Sequence, residues 1–344
     1  MTALLGSLPG LAAIFGVSAI AVWFAGTRLS SSTDALADRY HLGEALGGVI
    51  LLAVATNLPE IAITSTAAIS GHLELAIGNI LGGVGIQTVV LVALDVAQPS
   101  PLTSRTTSLR PLLTAGLVVA VLAVTVMGTA LPRSLIFARM TPEDIAVAAV
   151  WLAGLLLIKR AGAGLPWALV ANAPRKARSK PAQTTKSFVD RHPLLVFCAA
   201  AVVTLAAGAA LAQTGEAISH KIGINGVVFG ATILAAVTAL PELSTGLAAV
   251  RIGDHELALS DIFGGNAFLP VLFLLATVLS GKPALTQAGK VDVYLAVFGI
   301  LLTMPYMAGL LFRPRREFAR LGLDSIVVLA LYVVGVAGLL FVGR

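Results

Sequence analysis

The chain of 344 residues is 57% hydrophobic and only 12% charged, with a mean hydropathy of +0.94. A soluble domain carries about 25% charged and about 45–50% apolar residues, so a soluble enzyme is excluded. The single cysteine, Cys198, rules out a disulfide framework and a cysteine metal site, and the net charge of +6 marks membrane-flanking loops, not nucleic-acid binding.

A membrane helix needs about 20 apolar residues. Apolar runs between charged or Pro/Gly-rich breaks predict ten: 8–27, 42–69, 74–96, 110–131, 144–158, 194–213, 224–250, 256–279, 292–312 and 325–342. The expected fold is an all-α integral membrane protein. The first run lacks a basic start and is closed by Trp23 and Arg28, so it reads as a span and not as a cleaved leader. Loops after the odd-numbered spans hold 17 of the 23 Lys and Arg residues. By the positive-inside rule both termini lie outside and the basic 159–192 segment is cytoplasmic, in a cell (inner) membrane. That segment, rich in Ala, Pro, Lys and Arg, reads as a flexible linker beside anionic headgroups.

The chain repeats itself. A shift of 182 residues lays Thr56-Asn57-Leu58-Pro59-Glu60 on Thr238-Ala239-Leu240-Pro241-Glu242, and 13 of the 36 positions from 56 to 91 are then identical. The repeat cores are about 42–96 and 224–279, within halves 1–158 and 193–344 joined by the 159–192 linker. Five spans per half is an odd number, so the second half inserts upside down. Inverted repeats are a recurrent plan of secondary transporters, whose substrate site lies near the midplane where the repeats meet.

Acids inside a membrane are costly and are functional candidates. Glu60 and Glu242 fall in the middle of long apolar spans, one per repeat, each directly after a proline. Proline removes a donor, so carbonyls around 55–57 and 237–239 are expected to lose their helix partners. Carbonyls, Thr56 and Thr238 hydroxyls and two carboxylates form a hard-oxygen set of the kind Ca²⁺ takes, and protons can compete for it. The plainer alternative, two proline kinks with acids capping local backbone, is disfavoured by the duplication at matched positions. The later segments, Gly78–Gly83 and Ser260–Asn266, are glycine-rich, with Gly82, Gly83, Gly264 and Gly265 expected to serve close packing. Asp261 reads either as a partner of the acids or as a helix-start acid, Gln87 as a candidate ligand, and Asp95 as interfacial. Glu74, Asp254 and Glu256 suit the starts of spans 3 and 8. His255-Glu256 lacks the second histidine of a zinc-protease helix, and no Walker loop is present.

These residues resemble the cation/Ca²⁺ antiporter superfamily, which includes Na⁺/Ca²⁺ and H⁺/Ca²⁺ exchangers. Ala55–Glu60 and Val237–Glu242 match its Pro-Glu box, and Gly78–Gln87 and Ser260–Leu269 its second segment. The resemblance implies an antiporter and not an enzyme, with no resident cofactor. Its partners would be the lipid bilayer, a divalent cation and a counter-ion. Glu60 and Glu242 would be the paired ligands, with Thr56, Thr238, Asn57, Gln87 and Asp261 as further site residues. Na⁺-coupled members resemble one another in having serines where this chain has Asn57, Ala239, Gly83 and Gly265, and a late polar residue where it has Leu269. Asn57 is instead similar to the Asn of the proton-coupled branch. The expected reaction is Ca²⁺ exchanged for H⁺. The alternatives are Na⁺ as counter-ion, or another cargo such as Mg²⁺ or Mn²⁺.

Overall fold

A computed structural model describes residues 7–39, 54–106, 108–132, 136–162, 192–285, 289–313, 317–318 and 321–342. The first half holds α1 (Leu8–Arg39), α2 (Leu58–Ile69), α3 (Leu73–Val96), the short α4 (Leu102–Arg105), α5 (Arg110–Gly128) and α6 (Pro142–Gly162). The second half begins with α7 (Pro193–Ile222). Next come α8 (Gly226–Phe229), a π turn (Gly230–Leu234) and α9 (Ala235–Thr238), then α10 (Leu240–Arg251) and α11 (His255–Phe268). A 3₁₀ turn (Leu269–Val271) leads to α12 (Leu272–Ser280), α13 (Lys290–Phe312) and α14 (Leu323–Val342). The one departure from helix among named elements is a two-residue antiparallel hairpin, Glu317–Phe318 with Leu321–Gly322.

Among the described residues eight stretches are long and apolar enough to cross a membrane. With α2 and α6 they make ten membrane helices in two inverted five-helix repeats. Residues 42–53 of the second expected span and most of the 159–192 linker lie outside the described residues.

The two spans that open the halves are longer than their apolar runs. α1 continues to Arg39, so Trp23 sits within the helix and not at its end. α7 runs nine residues past 213, through Thr214–Ile222, until Gly223 takes φ +70 and closes it.

Both Pro-Glu boxes restart a helix. Residues 54–56 are helical, Asn57 is a turn, and α2 starts at Leu58; α9 ends at Thr238 and α10 starts at Leu240. The prolines thus sit in the first turn, where a missing N–H costs nothing. The disruption is narrower than expected, because Asn57 O accepts from Ile61 N and Ala239 O from Leu243 N, each at 3.0 Å. Proline leaves Ala55 O and Val237 O without their i+4 donor. α2 and α10 are each 12 residues long and end in turns with Gly71 at φ +83 and Gly253 at φ +80, which only glycine adopts freely.

The repeats are interleaved. In α3, 89% of the most apolar stretch is buried, against 22% in α1 and in α14, whose Phe24, Val333 and Phe341 face outward as lipid-facing surface. α1 packs on the opposite half, where a Cβ on Gly26 would lie 2.6 Å from Pro241. One register on, a Cβ on Gly208 of α7 would lie 2.6 Å from Ala62 and 3.2 Å from Pro59 O. Small residues bring α3 onto the helix before the second break. A Cβ on Gly82 would fall on the Ala231 backbone, and one on Gly230 would lie 2.6 Å from Leu75 O.

Asp95, expected at the interface with water, is only 1% exposed. Its Oδ1 accepts from Leu102 N at 2.8 Å, and its Oδ2 from Ser325 Oγ at 2.6 Å and Gly322 N at 3.3 Å. It ties the end of α3 to the start of α14.

Gly82 and Gly264 are equivalent in sequence but not in structure, since nothing lies within 4 Å of a Cβ built on Gly264. Gly82→Ala is expected to destabilise the detergent-purified protein by about 1–3 kcal/mol through overpacking. Gly264→Ala should leave the melting temperature unchanged or raise it, since Ala gains about 1 kcal/mol over Gly in a helix. Equal shifts would contradict the packing described.

Candidate ion-binding site

Glu60 and Glu242 occupy the third position of α2 and α10, in the first turns of two helices that start inside the bundle. Helix N-termini carry partial positive charge, which favours an acid there by about 0.3–1 kcal/mol. That is small against about 2.5–3.5 kcal/mol for a charged residue at the centre of a membrane helix on the insertion scale. Glu60 is fully buried and Glu242 is 5% exposed. Among the described residues neither carboxylate has a hydrogen-bond partner on either oxygen. The two acids are electrostatic neighbours across the repeat boundary, and Asp261 adds a third negative charge beside Glu242. Asp261 is steadied by Thr245, whose hydroxyl donates to its Oδ2 at 3.3 Å.

Thr238 from the second repeat stands beside Glu60 of the first, its hydroxyl donating to Ala235 O at 3.2 Å. Thr56 Oγ1 accepts from Asn57 Nδ2 at 3.4 Å. A second group of polar side chains gathers over Gly265. A Cβ there would lie 3.2 Å from Gln87 Oε1, 3.5 Å from Asn57 Nδ2 and 3.6 Å from Asn57 Oδ1. Gln87 is 1% exposed, and among the described residues neither of its amide atoms has a partner. Gly265 therefore makes room for two amides and is not a helix-packing glycine. Gly83, its repeat counterpart, meets a leucine, with Leu269 Cδ1 3.0 Å from its built Cβ.

The structure thus groups Glu60, Glu242, Thr238 and Asp261, and separately Asn57 and Gln87 with Thr56 beside them; Asn57 links the groups, three residues before Glu60. Sequence reasoning left out Asn79 and Asn266. Asn79 is fully buried, and neither of its amide atoms has a partner among the described residues. The 182-residue register lays it on Asp261, and that was the signal available. Asn266 donates from Nδ2 to Thr88 Oγ1 at 3.1 Å and leaves its Oδ1 unpartnered. Carboxylate, amide and hydroxyl oxygens in a dry interior are the ligand set of a hard cation. With no Arg or Lys paired to the acids among the salt bridges of the described residues, cations or protons must balance their charge.

The sequence profile of the family described as "Sodium/calcium exchanger protein" matches residues 10–158 and 192–341. The chain belongs to that family. It is a family of cation exchangers and not of enzymes, and the chain is a multi-pass membrane protein. Inner membrane protein YrbG of Escherichia coli (strain K12) is 25% identical over 310 residues, 87% of each chain. Putative antiporter CaxA of Alkalimonas amylolytica is 27% identical over 309 residues, 86% of this chain and 89% of that one. The crystal structure of an H⁺/Ca²⁺ exchanger, CAX, superposes with a TM-score of 0.64 over 97% of this chain and 88% of that one, at 12% identity. That likeness concerns the fold alone.

An uncompensated buried charge destabilises the empty protein, so its removal should stabilise it. In chelator at alkaline pH, Glu60→Gln is expected to melt at a higher temperature than the wild type. A lower melting temperature under those conditions would mean that Glu60 has a protein partner.

Proposed function

We propose that this exchanger moves Ca²⁺, or a related divalent cation, across the membrane in return for H⁺ by alternating access. Its midplane site is built on Glu60 and Glu242, with Thr56, Thr238, Asn57, Gln87 and Asp261 around them. The observation that carries this reading is the pair of buried, unpartnered carboxylates at matched positions of inverted repeats. Two acids side by side cannot both stay charged without a counter-ion. A divalent ion neutralises both at once, and protons neutralise them when it leaves. The cycle needs no resident cofactor. CaxA, described as a putative antiporter, and CAX, an H⁺/Ca²⁺ exchanger, are consistent with it.

The choice of proton rests on the two glycine pockets. Over Gly265 the chain supplies amides, whereas over Gly83 it supplies Leu269. A second, Na⁺-holding set of side-chain oxygens has no place on the Leu269 side. The family's own description keeps Na⁺ as the second reading. The halves are taken as 1–158 and 193–344, with both termini outside and the 159–192 linker in the cytoplasm, from the distribution of Lys and Arg.

In proteoliposomes, Glu60→Gln and Glu242→Gln should each abolish ⁴⁵Ca²⁺ flux while the proteins still insert and purify. Wild-type flux in either would remove the site assignment. With the wild type, an imposed pH gradient should set the direction of Ca²⁺ flux, and a Na⁺ gradient at fixed pH should do little; the opposite pattern would make Na⁺ the counter-ion. Orientation is checked separately in a Cys198→Ala background. Cysteines placed in 175–187 should be shielded from an impermeant thiol reagent added outside intact cells, and cysteines in 133–140 should react. The reverse labelling would invert the topology.

A further inference from the structure

At the end of the bundle away from the 159–192 linker, the last turns of α7 meet the turn between α2 and α3. His72 Nδ1 lies 3.0 Å from Glu216 Oε1, and His220 Nε2 lies 2.8 Å from that same oxygen. The three candidate ligand atoms lie within 4.8 Å of one another. Glu216 and His220 share one face of α7 at i,i+4 spacing. His72 comes from the other half of the molecule. It is held by Gly71 at φ +83 and by its own backbone N–H, which donates to Ala67 O at 2.8 Å. Cavities of about 250 and about 300 Å³ flank the cluster. The larger is also lined by Glu74, a second carboxylate within the same opening.

We propose that His72, Glu216 and His220 bind a divalent transition ion of the Zn²⁺ class, which ties α7 to the α2–α3 turn. Two imidazole nitrogens and one carboxylate suit Zn²⁺, Co²⁺ or Ni²⁺ and not Ca²⁺, which takes six to eight oxygens. Ligand atoms about 2.0–2.1 Å from a tetrahedral Zn²⁺ stand roughly 3.3 Å apart, so separations of 2.8 and 3.0 Å need open by only a few tenths of an ångström. Glu74 or water completes the set.

The repeat does not require this chemistry. The 182-residue register places Asp254, Asp34 and Asp38 where His72, Glu216 and His220 stand, and Asp254 caps α11 by accepting from Leu257 N at 2.9 Å. Nitrogen ligands are thus a feature of one end of the bundle. The elements joined are α7, which packs against Pro59 and Ala62, and the turn that ends α2, the helix carrying Glu60. An ion fixed there restrains α7 against that helix and slows exchange, a consequence that rests on the function proposed above.

The test separates the two claims. Purified protein carrying Glu60→Gln and Glu242→Gln, so that the central acids do not contribute, is titrated calorimetrically with ZnCl₂. We expect one Zn²⁺ per chain, and Co²⁺ added in its place should show the visible spectrum of a nitrogen-ligated ion. In that background His72→Gln or His220→Gln, both at exposed positions, should weaken Zn²⁺ binding more than about tenfold, since even outer partners of metal ligands cost 10–100-fold. Unchanged Zn²⁺ affinity in both variants would overturn the site. In proteoliposomes with intact Glu60 and Glu242, Zn²⁺ should slow Ca²⁺ exchange, and His220→Gln should relieve the inhibition. Zn²⁺ that binds but slows the wild type and His220→Gln equally would overturn the tie between α7 and the turn. Absence of any divalent flux in the wild type would instead remove the proposed function and leave the calorimetric result standing.

Discussion

Two carboxylates that share a dry interior without a basic partner are the constraint on which the rest of this molecule depends. Glu60 and Glu242 have no hydrogen-bond partner among the described residues, and each lies beside the other's charge. Their positions follow from the breaks before them. Pro59 and Pro241 sit in first helical turns, where a missing N–H costs nothing, and at both the helix stops and restarts inside the bundle. That restart gives each acid a helix N-terminus and frees the carbonyl of Ala55 or Val237. Irregular backbone at that depth survives only inside protein or beside a water-filled cavity. The long, polar-ended α1 and α7, packed over the breaks through Gly26 and Gly208, supply that enclosure.

The scaffold obeys the repeat and the lining departs from it. The 12-residue length of α2 and α10, the glycine turns at 71 and 253, and the contacts of Gly26 with Pro241 and Gly208 with Pro59 recur one register apart. The side chains around the acids do not. Asn57 pairs with Ala239, Asn79 with Asp261, Val84 with Asn266 and Gln87 with Leu269 in the register. The split fits the single shared ion proposed above, held near the pseudo-axis. Two residues related by the axis reach the same point only if they lie close to it, as Glu60 and Glu242 do. Farther out, each position serves one side alone, and the two copies are free to diverge into an amide-lined pocket over Gly265 and a leucine-filled one over Gly83.

Much of this was legible in one sequence because the signals are local or duplicated. Apolar runs located the spans, the repeat gave the inversion, and Pro-Glu in both copies pointed to the acids. Three features were hidden for physical reasons. Asp95 reads as a span-end acid because its partners, Gly322 and Ser325, are more than 220 residues away. The overhanging ends of α1 and α7 read as loops because hydropathy ends before the helix does. Gly82 and Gly264 look alike because the partner that crowds one, Ala231, belongs to the opposite half, and no local pattern reports it.

Two hydrogen-bonded clusters join the repeats away from the central acids. At one end, Asp95 of the first repeat takes the Ser325 hydroxyl, which in turn lies 2.9 Å from Tyr306, while Asp324 accepts from Thr103 at 2.7 Å. At the other end, Asp144 accepts from Thr141 at 2.7 Å and faces Thr277, the register counterpart of Asp95. Each cluster joins the end of one repeat's central helix to the start of the other repeat's last helix. Buried networks of this kind are costly to break, because removing one member strands the others. The halves are therefore fastened near both faces by direct hydrogen bonds. Between those fastenings, Glu60, Glu242, Gln87 and Asn79 have no hydrogen-bond partner among the described residues, a condition shared nearer the ends by Glu143 and Gln98. Open carboxylates and amides between two hydrogen-bonded clusters are what the ion site proposed above requires: a place where an ion can bind and from which it can also leave.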